Sequence, residues 1–179
     1  LFPYTTLFRS AQMRPVQYLI QECLDDNLAW KSDVPENHPF KVVYDKVQSI
    51  IKYADKSLPF NFDDKFSVLQ KPPYGLYGSF AAMAMMAFAL RPWANKIFDM
   101  QGKPRDKNAL IDDIVWLFKV WDDKKSSSKL NFKFQTPEEG KLCKDLVSLF
   151  KLNNKNNDYS DVTSLKDARY AITAEFLGK

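Results

Sequence analysis

The segment GSFAAMAMMAFALRPW, residues 78–93, is apolar all round a helix from Phe80 to Leu90. Alanine, methionine and leucine favour helix, Ser79 supplies an N-cap, and Arg91-Pro92 opposes continuation. A helix without a polar face has to be enclosed by other elements. At about half of the roughly 20 residues that cross a bilayer, it is too short for a membrane span. The segment therefore predicts a globular, mostly α domain around one central helix.

Towards the N-terminus, Phe40, Val43, Tyr44, Val47, Ile50, Ile51 and Ala54 form an apolar stripe at helical spacing. Before it, Pro15 suits a first helical turn, and Val16, Leu19, Ile20, Cys23 and Leu24 predict an amphipathic helix over about 15–30. Between stripe and central helix, residues 56–75 read as loop with one short helix capped by Asp63, closing on a PPYG turn.

Towards the C-terminus, NKIFDMQGKP, residues 95–104, predicts a short strand closed by a glycine turn. A helix over 108–122 follows, with Leu110, Ile114, Leu117, Phe118 and Trp121 on one face and Trp116 and Val120 on a second edge. KLNFKFQ, residues 129–135, alternates as a half-buried strand does. TPEEGKLCKDLVSLF, residues 136–150, combines Thr136, Pro137 and Glu139 in a capping box, and a last helix begins at Leu165. The expected fold is mostly α (α+β), with six or seven helices and a small two-stranded antiparallel element that gives it a winged-helix-like character.

The opening LFPYTTLFRS has no helical or strand period, and it lacks the continuous apolar core of a signal peptide. Its codons back-translate to a short-read sequencing adapter, so residues 1–10 are set aside as an artefact and expected to be poorly anchored. Residues 11–62 are expected to form an N-terminal helical segment. Residues 63–179 are expected to form a helical domain with the β element, truncated at the C-terminus.

The chain is 45% hydrophobic and 15% aromatic, enough to offset chain entropy through a core, and its 5 glycines are too few for glycine-turned β-sandwiches. A formal charge of +4 permits an acidic partner without demanding one. The 2 cysteines, Cys23 and Cys143, sit in apolar helical patterns and read as reduced core residues of a cytoplasmic protein.

No phosphate-binding glycine loop, H-E-x-x-H, paired C-x-x-C or G-x-S-x-G occurs, so no cofactor, metal site or catalytic residue is assigned. His38, the single histidine, lies in a proline-flanked loop. Adjacent aspartates at 25–26, 63–64, 112–113 and 122–123 are the raw material of metal-dependent phosphoryl chemistry. Neighbours on a helix diverge by about 100°, however, and caps or first turns account for several of them.

Lys96, Lys103, Arg105 and Lys107, then Lys124, Lys125, Lys129 and Lys133, collect around the two strands, with Trp121, Phe132 and Phe134 interleaved. Such a lysine-edged surface is what a winged-helix-like module presents to phosphates. Lysine on edge strands also serves simply to block pairing.

The order KPPYGLYGSFAAMAMMAFALRPW, KIFDMQGKP, helix and strand, over about residues 70–135, resembles segments that follow the ATPase core in large bacterial P-loop proteins of BREX-type phage defence. The resemblance implies an accessory region of a multidomain ATP-binding protein, acting on DNA or on other domains of the full-length chain. This sequence lacks the ATPase motifs, so no catalytic residue carries over. Beside that reading stand a protein–protein scaffold with no nucleic-acid role and an enzyme built on scattered carboxylates.

Overall fold

The computed structural model describes residues 14–124, 128–152, 162 and 164–176. Among them are seven helices and a three-stranded antiparallel sheet. The order is α1 (Arg14–Cys23), α2 (Pro39–Lys52), β1 (Phe60–Asn61), α3 (Phe62–Phe66), α4 (Phe80–Leu90), β2 (Ile97–Asp99), α5 (Lys107–Asp123), β3 (Asn131–Phe134), α6 (Pro137–Phe150) and α7 (Leu165–Phe176). The expectations for residues 1–10 lie outside the described residues.

The apolar segment is α4, and it is central as its composition requires. Ser79 accepts from the Ala82 amide at 3.1 Å, and Ala82, Met86, Ala89 and Leu90 are buried against α1, α2 and α5. No described helix is long and apolar enough to cross a membrane.

The sheet has one strand more than the sequence predicts. Phe60-Asn61, read as loop, pairs with β3 in the register Phe60↔Phe132 and Asn61↔Asn131, giving the order β1-β3-β2. Two residues are too few to show an alternation, and the pairing depends on contacts about seventy residues away. Phe60 stacks on Phe134 at 4.9 Å and Phe62 meets Phe132 at 4.3 Å. One apolar core joins Val43, Val47, Ile51 and Phe62 to Met86, Leu117, Phe118 and Phe132. β2 and β3 are antiparallel neighbours joined through α5 rather than by a hairpin loop.

Two local expectations are corrected. α1 stops at Cys23 instead of running towards 30, because Asp25 Oδ1 accepts from the amides of Asn27 and Ala29, both at 2.9 Å, and folds the chain into a turn. Leu28 there takes φ 60°, and Leu24 bridges Trp30. α3 is capped by Asn61, whose side chain accepts from the Asp63 amide at 2.8 Å. Asp63 instead accepts from Trp121 Nε1 at 2.9 Å.

A smaller cluster of Cys143, Leu152, Ala168 and Ala171 closes the α6–α7 pair. Phe98, Lys133, Glu139 and Leu165 surround a small cavity where this pair meets the sheet. Thr136 and Glu139 form the expected capping box, at 3.2 and 3.0 Å.

Candidate nucleic-acid interface

α5 and its flanks carry every basic residue the sequence singled out, and they divide those residues into groups. Lys107 and Lys124 stand at opposite ends of α5, about 25 Å apart at 1.5 Å per residue. Lys96 and Lys103 are exposed beside β2, at the Lys107 end. Lys124 and Lys129 lie at the other end, and Lys125 lies outside the described residues. The described ones therefore do not make one patch.

Two of them are turned to internal work. Arg105 donates from Nε and Nη2 to the two oxygens of Asp113, at 2.8 and 2.7 Å, and from Nη2 to the Ala109 carbonyl. Asp113 lies in the second turn of α5 and points inward, so the Asp112-Asp113 pair is split between solvent and core. Burial pushes its carboxyl above the usual aspartate range, against the opposing pull of Arg105. Burial would lower the Arg105 guanidinium, but the hydrogen bonds and charge of Asp113 outweigh it and hold it up. Lys133 pairs with Glu139 at 3.1 Å, which ties β3 to α6.

The interleaved aromatics also face inward. Trp121, Phe132 and Phe134 are buried in the core, and Trp121 donates to Asp63. The aromatic beside these lysines that is not fully buried is Trp116, half-buried on α5 against the core. Lys129 Nζ lies 4.4 Å and Lys119 Nζ 5.0 Å from its ring centroid. Lys124, the C-cap of α5, is exposed at φ 52°. Sequence reading missed Lys119, although Trp116 and Lys119 stand three apart, the spacing that brings helical side chains together. Exposed Asp122 and Asp123 border this end of the helix and moderate its charge.

A second tryptophan is similarly placed. Trp93 has Lys56 Nζ 5.0 Å and Lys96 Nζ 5.8 Å from its centroid, while Lys56 sits 3.7 Å from that of Phe134. Burial lowers the pKa of Lys56, whose ammonium also donates to the Ile51 carbonyl.

The residues an enzyme would need are held in separate local networks. His38 caps α2, accepting from the Phe40 amide at 3.2 Å through Nδ1. Cys23 Sγ is 3.5 and 3.6 Å from its two ring nitrogens, nearly equidistant, so the sulfur lies over the ring rather than in line with one nitrogen as a catalytic dyad requires. Burial pushes both cysteine thiols up, away from the reactive thiolate. Asp112 and Asp122 are about 15 Å apart along α5, and Glu139 serves its capping box. Among the described residues no three His, Cys, Asp or Glu side chains converge to hold a metal.

Compared with protein-family models, with characterised proteins and with solved structures, the chain matches none.

Proposed function

We propose that this chain is a helical binding region that contacts nucleic-acid backbone through Lys119 and Lys129 around Trp116 and through Lys124 at the end of the same helix. On the resemblance noted above, it serves as an accessory region of a larger bacterial P-loop ATPase. The observation that carries the reading is the pair of ammonium groups 4.4 and 5.0 Å from one half-buried indole. Lysine charge supplies sequence-independent attraction to phosphates, and an indole edge supplies a stacking surface for an unpaired base. Asp122 and Asp123 nearby keep the field modest, so binding is weak and confined to a few phosphates.

The test is fluorescence anisotropy of labelled 20-mer single-stranded and duplex DNA across 25–200 mM salt. Three lysine contacts give a slope of log K against log salt of about −2 on single strands and nearer −3 on duplex. K119E/K124E/K129E should remove the signal, while K96E/K103E/K107E at the far end should leave most of it. No binding by wild type at 25 mM salt ends this reading.

A second reading, a protein-interaction scaffold, is favoured by Leu142 and Leu149 on α6, which are 51% and 74% exposed and seven residues apart on one stripe. It predicts that L142S/L149S abolishes partner capture and leaves DNA binding unchanged.

A further inference from the structure

A groove of about 720 Å³ runs along α6, away from the exposed leucine stripe and from α5. Its floor is Cys143, Val147 and Val162, and its rim carries Lys141, Lys144 and Ser148. Cys143 is buried, Val147 and Val162 are half-buried, and both lysines are exposed. Lys141 and Lys144 stand three residues apart on the helix, with Cβ atoms about 5–6 Å from each other, so their ammonium groups can meet on one anionic head. No carboxylate is among the described residues lining the groove. Gly140, inside the first turns of α6, also lines it, next to the Gln135 side chain.

We infer that this groove binds a small anionic amphiphile, a carboxylate-headed alkyl chain, with its head on Lys141 and Lys144 and its tail over Cys143, Val147 and Val162. The inference rests on charge complementarity together with an apolar floor, and it is independent of the nucleic-acid reading. A volume in the range of ordinary ligand sites, lined on one side by cations and on the other by apolar side chains, sorts a head from a tail. Phosphate alone would gain the lysines but leave the floor wet, and an uncharged alkane would gain the floor only.

The probes are octanoate, decanoate and dodecanoate, each below its micelle concentration, titrated against the full chain by isothermal calorimetry. Affinity should rise up to about fourfold per added methylene, as burial of each CH₂ predicts. K141E/K144E should weaken dodecanoate at least tenfold, and V147N should flatten the chain-length dependence, with circular dichroism confirming that both variants fold. L142S/L149S should change nothing. Binding of dodecylammonium as tight as that of dodecanoate, loss through L142S/L149S instead, or no binding of dodecanoate would each overturn the proposal. So would capture by phosphatidylglycerol vesicles without binding of free dodecanoate, which would place the affinity at a lipid surface.

Discussion

Arg105 and Asp113, eight residues apart, meet in a two-pronged ion pair whose side chains are only 18% and 10% exposed, locking the β2 turn to the second turn of α5. Removing either partner leaves the other charge buried and unpaired, which costs about 3–5 kcal/mol. R105A and D113A should each lose that much in urea unfolding. R105M/D113L, which removes both charges and keeps apolar volume, should lose much less than either. R105K should resemble R105A, because an ammonium cannot supply the planar fork. If the double replacement is as damaging as the single ones, the pair stabilises by more than mutual compensation.

Asp63 and Trp121 tie α3 to the end of α5 across 58 residues, with Nε1 donating to Oδ1 at 2.9 Å. In D63A the buried indole N–H loses its acceptor, which costs about 1–3 kcal/mol. D63N keeps an oxygen acceptor and should recover much of that. Both effects are read in the urea midpoint and in a red-shifted tryptophan emission for D63A. A D63A protein of wild-type stability would mean that water replaces the carboxylate.

Periodicity made the helices legible, because α2, α4 and α5 each owe their burial to residues within one segment. α4 is the clearest case, since a helix apolar on all sides has only one place to go. The third strand was hidden because Phe60-Asn61 becomes a strand only by pairing with β3. The basic residues were legible as a composition but not as a surface. Nothing in RDKNALIDD says that Arg105 reaches back to Asp113, since a helix start and a buried ion pair look alike in sequence. Trp116 and Trp121 are five apart on α5, about 140° around the helix, so the periodicity that puts Trp121 on the buried face already leaves Trp116 at its edge.

Glu139 caps α6 and pairs with Lys133, and hydrogen bonding from the Thr136 amide holds its carboxyl below the usual glutamate range despite some burial. A depressed folded value means that Glu139 stabilises above the unfolded value, about 4.3, and that this is lost as pH falls through the folded one. At pH 6, E139A should cost about 1 kcal/mol. Between pH 4.5 and 3 its urea midpoint should converge on that of wild type. A gap unchanged at pH 3 would show that carboxylate charge has no part in the cap.

Lys56 presents opposing effects on one ammonium. Its Nζ lies 3.7 Å from the Phe134 centroid and donates to the Ile51 carbonyl, both of which favour the cation. Burial disfavours the cation and wins, since the pKa is lowered. The folded chain then gives up this proton at lower pH than the unfolded chain, whose lysines titrate near 10.4. The charge therefore opposes folding at neutral pH, and the penalty fades as pH rises through the folded value. K56M keeps the stem over Phe134 and removes the charge, so at pH 7 it should match or slightly exceed wild type. K56A exposes Phe134 and Trp93 and should lose about 1–2 kcal/mol through packing. From pH 7 to 10 the stability of wild type relative to K56M should rise, as read from urea midpoints. A difference that stays constant or falls would show that the aromatic faces and the Ile51 carbonyl hold the cation more strongly than burial opposes it.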